Sequence, residues 1–199
     1  MNAVAITMRR DFVQGRHEVR DALESAWWDL LSALGHIPLV IPNHAGHAQA
    51  LIEAFRPQAV ILTGGGLPGP SDDSSERDRV ETLLIDYAGS SALPLLGVCR
   101  GMQAIALRFG GSLCSVTGHV GTRSGVTSRF GTHDAHCFHE YALMEAPAGF
   151  VPLAIAFDGS IEAIEHRTRP IRAVMWHPER AGSLGQADTD LLRDSLKTA

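Results

Sequence analysis

The chain has 199 residues, 45% apolar and 20% charged, with 17 Lys and Arg against 22 Asp and Glu for a net charge of −5. That balance belongs to a globular protein and excludes bulk disorder, which needs low hydrophobicity and high charge. A mildly acidic chain without basic runs is not built for nucleic acid, and no apolar run approaches the roughly 20 residues that span a bilayer.

Met1 to Arg10 lacks the charged segment, apolar core and cleavage site of a secretory signal, so a cytoplasmic location is expected. Cys99, Cys114 and Cys137 are three cysteines, an odd and low count that fits reduced thiols rather than a disulfide framework. The length suits a single domain over 1–199.

Val4 to Thr7 reads as a first buried strand. Glu18 to Leu34 reads as a helix, because Val19, Leu23, Ala26, Trp27, Leu30, Leu31 and Leu34 follow a helical spacing and Gly35 stops it. At least one of the adjacent Trp27 and Trp28 should pack in the core. Ile37 to Ile41 is a second strand, Ala45 to Phe55 a helix closed by Pro57, and Ala59 to Leu62 a third strand broken by Gly64-Gly65-Gly66. Leu67 to Ser75 is a loop, Glu76 to Tyr87 a helix, Leu95 to Val98 a fourth strand and Gly101 to Phe109 a helix. Alternating strands and helices predict a mostly parallel α/β sheet flanked by helices. The later chain looks antiparallel, with a hairpin around Asp158-Gly159, a strand from Ile171 to Trp176 and a closing helix from Asp188 to Leu196.

Cys99 ends the fourth strand, and a helix begins directly after it. Gly97 and Gly101 flank it at two residues on either side, which permits a sharp strand-to-helix turn around a nucleophile. The helix N-terminus and the nearby charge of Arg100 favour a thiolate. Cys114 and Cys137 lack this setting and read as structural. A cysteine nucleophile needs a base, and His177 sits at a strand end, where a parallel sheet gathers its site. Glu179, two residues on, is placed to orient that imidazole. The N–H groups of Gly65 and Arg100 would make a two-donor oxyanion hole.

Thr132 to His139 is rich in potential zinc ligands. Strand alternation puts His133, Cys137 and His139 on one face and His136 on the other. With no second ligand cluster at standard spacing, neither a metal nor another cofactor is expected. Arg9, Arg10 and Arg20 could meet a phosphate or carboxylate on a substrate, and His17 and His119 are further pocket candidates.

Gly97-Val98-Cys99-Arg100-Gly101-Met102-Gln103, Trp176-His177-Pro178-Glu179-Arg180 and Thr63-Gly64-Gly65-Gly66 together resemble the nucleophile, His/Glu and oxyanion motifs of class I glutamine amidotransferases. Arg77-Asp78 with Glu81, and Asp158-Gly159 with Ile161-Glu162-Ala163, are similar to the γ-glutamyl hydrolase branch (peptidase C26-like). The compact length and Gly118-His119-Val120 look most like the γ-glutamyl-CDP-amidate hydrolases of bacterial surface-polysaccharide loci.

The resemblance implies a flavodoxin-like α/β fold with a small antiparallel section. It also implies cleavage of a γ-glutamyl amide through a γ-glutamyl thioester, with Cys99 as nucleophile, His177 as acid and base, and Glu179 orienting it. Gln103, Phe138, His139, Arg9 and His119 are the expected substrate contacts. His136-Cys137 stands where the family usually has Asn-Ser, a departure in the glutamyl pocket. The alternative is a glutaminase subunit that delivers ammonia to a synthase partner. A small-molecule substrate is expected, with no nucleic acid and no membrane; a synthase partner or a homo-oligomer is compatible with the pattern.

Overall fold

The computed structural model describes residues 2–69, 75–128, 131–180 and 186–197. In chain order the strands are β1 (Asn2–Thr7), β2 (Arg9–Val13), β3 (Glu18–Ala22), β4 (His36–Ile41), β5 (Ala59–Leu62), β6 (Leu95–Val98), β7 (Cys114–Ser115), β8 (Val120–Ser128), β9 (Gly131–Phe138), β10 (Tyr141–Ala142), β11 (Phe150–Ile155), β12 (Ile161–His166) and β13 (Ile171–Val174). The helices are α1 (Ala26–Ala33), α2 (Ala45–Phe55), α3 (Ser75–Ser90), α4 (Arg100–Arg108) and α5 (Gln186–Ser195).

Nine strands form one sheet in the order β4-β1-β5-β6-β13-β12-β11-β8-β9. The first five pair in parallel and the rest are antiparallel. The antiparallel section expected late in the chain continues the main sheet by four strands.

The short apolar runs form central parallel strands because both faces are covered. Along β5 the side chains alternate between two cores: Val60 and Leu62 face α2, α3 and α4, while Ala59 and Ile61 face α1 and α5. Trp27 is buried on the second face and Trp28 is exposed. α5 is tied to this face by the Trp176 indole N–H, which donates to Asp188 Oδ1 at 2.9 Å.

One expectation fails. Glu18–Ala22 is not helical but the second strand of a hairpin, paired with Arg9–Val13 as a separate two-stranded sheet. The intervening turn contains Gly15 in the left-handed region, at φ 77°. Val19, the first residue of the supposed apolar stripe, pairs with Phe12, and both are exposed. The helix therefore begins only at Ala26.

Candidate active site

Parallel register decides which loops meet. Leu62 of β5 lies beside Gly97 of β6, and Val98 of β6 lies beside Val174 of β13. The three strands end together, so 63–66, 99–100 and 175–179 leave the same edge side by side. Open α/β sheets bind ligands at such an edge.

Cys99 links β6 directly to α4. Its backbone is at φ 52°, a left-handed value that costs a non-glycine residue energy. The turn is tight enough to need its glycines. A Cβ on Gly97 would lie 2.7 Å from the Gly101 carbonyl, and one on Gly101 would lie 2.2 Å from the Leu62 oxygen. The Cys99 N–H donates to Val174 at 2.8 Å, which ties the turn to β13.

His177 precedes Pro178, which opens a single 3₁₀ turn over Pro178–Arg180. The turn closes as the Arg180 N–H donates to the His177 carbonyl at 3.1 Å. It brings Glu179 back onto its neighbour, and His177 Nδ1–H donates to Glu179 Oε1 at 2.7 Å. The His177 ring and Cys99 both lie against Gly64, close enough for the sulfur to act on the imidazole. With Nδ1 held by Glu179, Nε2 is the ring nitrogen available to a second partner. All three residues are buried. Burial opposes protonation of His177, but hydrogen bonds to Cys99 and Glu179 and their negative charges outweigh it, raising its pKa to about 9.

The glycine loop closes the other side. Gly64 packs so tightly that an added Cβ would sit 2.6 Å from His177 Cε1 and 3.4 Å from Cys99 Cβ. Its shape is held by Arg77, which donates to the carbonyls of Thr63 at 2.7 Å, Gly64 at 3.0 Å and Gly65 at 2.7 Å. Arg77 in turn pairs with buried Glu81 at 2.8 Å. Arg100 does not place its charge by the thiol as expected. Its buried guanidinium pairs with Glu81 and Asp78 instead. Arg77, Asp78 and Glu81 stood out in sequence only through the family resemblance; their pairing with Arg100 did not.

The remaining expected contacts divide. Phe138 stacks edge-on against His177 with centroids 5.9 Å apart, and Arg180 lies over the same ring at 5.1 Å. Gln103 is buried; its amide donates to the Tyr141 carbonyl at 3.0 Å, and its Oε1 has no protein partner. Arg9 lines a small pocket with Gly64, Gly65, Trp27 and Arg180, and pairs with Asp11 at 2.6 Å. Arg20 pairs with Glu18, and His17 lies in the exposed turn of the hairpin.

His119 and His139 are buried against each other, with ring centroids 4.7 Å apart, beside Cys137 and Glu162. Two of the four, His119 and Glu162, lie outside the His-rich run, and no standard ligand spacing links them to it. Cys137 is buried, as a structural cysteine should be, whereas Cys114 is exposed.

The class I glutamine amidotransferase family model matches residues 18–199. The chain belongs to this family of amide-hydrolysing enzymes. It is 31% identical over 189 residues to γ-glutamyl-CDP-amidate hydrolase of Campylobacter jejuni, covering 91% of this chain and 92% of the relative. It is 34% identical over 151 residues to the glutamine-hydrolysing GMP synthase subunit of Methanosarcina barkeri, covering 70% and 72%. The fold matches that of a glutamine amidotransferase from Thermotoga maritima with a TM-score of 0.70 at 14% identity, over 98% of this chain and 84% of the other. No helix among the described residues is long and apolar enough to cross a membrane.

Proposed function

We propose that the chain is a stand-alone hydrolase of γ-glutamyl amides that works through a Cys99–His177–Glu179 triad. The observation that carries this reading is the buried His177, bonded to Glu179 through Nδ1, lying with Cys99 against Gly64, and raised in pKa to about 9 by both neighbours. The Cys99 thiolate attacks the γ-carbonyl carbon, and the N–H groups of Gly65 and Arg100 receive the oxyanion. His177 gives its proton to the leaving amine as the C–N bond breaks, leaving a γ-glutamyl thioester.

Acylation then removes both influences of the sulfur that raise the imidazole. His177 falls back to a range where it takes a proton from water. Hydroxide attack on the thioester carbonyl breaks the C–S bond, releases glutamate with its carboxyl proton lost to water, and returns the thiolate beside protonated His177. Gln103 Oε1, buried without a partner, is an acceptor for the glutamyl ammonium. Phe138, against His177, and Arg9, in the pocket beside Gly64 and Gly65, are further proposed substrate contacts, whereas His119 and His139 are buried in a cluster with Cys137 and Glu162.

The favoured substrate is γ-glutamyl-CDP-amidate, supported by the Campylobacter jejuni relative, which aligns over nearly the whole of both chains. A second reading rests on the similarity to the Methanosarcina barkeri GMP synthase protein, glutamine-hydrolysing by name. In that reading the chain hydrolyses glutamine only when a synthase partner is docked.

Glutamate release by the purified chain alone separates the two. The panel is glutamine, simple γ-glutamyl amines and γ-glutamyl-CDP-amidate, with Cys99→Ala as control. Turnover of a γ-glutamyl amide that Cys99→Ala abolishes is the expected result. Silence on every substrate would overturn the stand-alone reading.

A further inference from the structure

We propose that His119, Cys137, His139 and Glu162 form a buried site for a divalent transition metal, with zinc the fitting ion. The site lies apart from the proposed triad and goes beyond the proposed activity. Its residues come from the approach to β8, from β9 and its end, and from β12.

Distances set the first constraint. One ligand atom from each of the four residues lies within 4.8 Å of the others. His119 Nδ1 is 3.3 Å and His139 Nε2 is 3.4 Å from Glu162 Oε1, and Cys137 Sγ is 4.0 Å from Oε2. Zinc bonds of about 2.0–2.3 Å in a tetrahedron give ligand-to-ligand edges of about 3.3–3.8 Å. The two imidazole–carboxylate distances already fall in that range, the remaining spans of up to 4.8 Å exceed it by about 1 Å or less, and N, N, S and O are zinc ligands.

Unmet bonding is the second constraint. Both ring nitrogens of His139, and Nδ1 of His119, are buried without a hydrogen-bond partner. Glu162 is fully buried, and no Arg or Lys pairs with it among the described residues. Buried charges are normally paired or bound to metal. Protonating both imidazoles would place two like charges in rings 4.7 Å apart. A dication with one thiolate, one carboxylate and two neutral imidazoles leaves the site with no net charge.

The arrangement behind the ligands is the third. His119 Nε2 is 2.9 Å from Asp158 Oδ2. Asp158 is held by the Ser160 hydroxyl at 2.6 Å and the Ser160 N–H at 3.0 Å. Metal-binding histidines typically donate their second N–H to such a carboxylate, which directs the other lone pair at the ion. Here that lone pair is on Nδ1, the atom facing Glu162. The bound ion would pin β9, which carries Phe138 against His177, to β12.

The test is zinc itself, measured on the full chain after exposure to zinc and gel filtration. Cys99→Ala is the reference background, because it removes the other buried thiol. Expected are one tightly held zinc per chain in both wild type and Cys99→Ala, and a rise in melting temperature of roughly 5–10 °C on zinc addition. Cobalt in place of zinc should give the intense visible bands of a tetrahedral site with a thiolate band, lost in Cys137→Ser. Circular dichroism reports whether each variant folds. Should Cys137→Ser fail to fold, His119→Gln makes the comparison. The proposal is overturned if the wild type holds no zinc, or if a folded Cys137→Ser or His119→Gln holds zinc as tightly as wild type.

Discussion

His177 Nδ1 and Glu179 Oε1 lie 2.7 Å apart, two residues from each other on one tight turn, with both side chains buried. That bond fixes the tautomer and leaves Nε2 for the cysteine of the proposed triad. Glu179→Gln keeps the shape but offers the ring an ambiguous partner. Its kcat should fall by roughly 10²–10⁴-fold with little change in KM. Steady-state kinetics on the best γ-glutamyl substrate checks this, and an unchanged kcat would remove Glu179 from the mechanism.

The raised His177 also has a consequence for stability. Its pKa is about 9 in the folded chain against an ordinary 6.5. The folded state therefore holds the proton more tightly than the unfolded state. The stabilisation is fully present below pH 6.5 and disappears as the pH climbs through about 9. It amounts to roughly 3 kcal/mol at most. Urea unfolding across that window should show the loss in wild type and not in His177→Gln. In Cys99→Ala the imidazole resonance, followed by NMR, should titrate at lower pH. An unmoved titration would mean that Glu179 alone raises it.

Two glycines should respond differently to a methyl group. Gly101→Ala drives a Cβ into the Leu62 backbone, where nothing can rotate away, and should cost about 3 kcal/mol or more. Gly64→Ala meets the His177 ring instead, 2.6 Å from Cε1. The ring can shift, so the fold should survive while kcat drops roughly 100-fold. Melting curves beside kinetics separate the cases. Gly125→Ala, with open space around it, is the control.

Arg77→Met removes the donor to three loop carbonyls and one partner of buried Glu81. Breaking a buried pair from one side should cost roughly 3–5 kcal/mol. Because the same loop carries Gly65, activity per folded molecule should fall as well. Equilibrium unfolding combined with active-site titration would reveal a purely structural role if the folded fraction remained fully active.

The parallel half of the fold was legible because its strands are short apolar runs alternating with helical spacings. Cys99 was legible because glycine is required on both sides of so sharp a turn. The hairpin at Arg9–Ala22 was not. Val19 and Leu23 happen to continue the apolar spacing of α1, and the turn at Gly15 is a weaker signal than that stripe. Arg100 misled in the opposite way. Its position beside Cys99 is local and visible, but Asp78 and Glu81, which claim its charge, lie on another helix. Glu162 and His119 join Cys137 and His139 only through pairing of distant strands, which no local pattern contains.

The strand order has a bearing on how the protein is made. β13, the last strand among the described residues, inserts between β6 and β12 rather than adding to an edge. Until residues 171–174 leave the ribosome, the two halves of the sheet have no common centre. Cys99 then lacks both the Val174 carbonyl that anchors its turn and the histidine that follows. A partly synthesised chain thus has Cys99 without the partners of the proposed triad, which come together late, in the same event that joins the two halves.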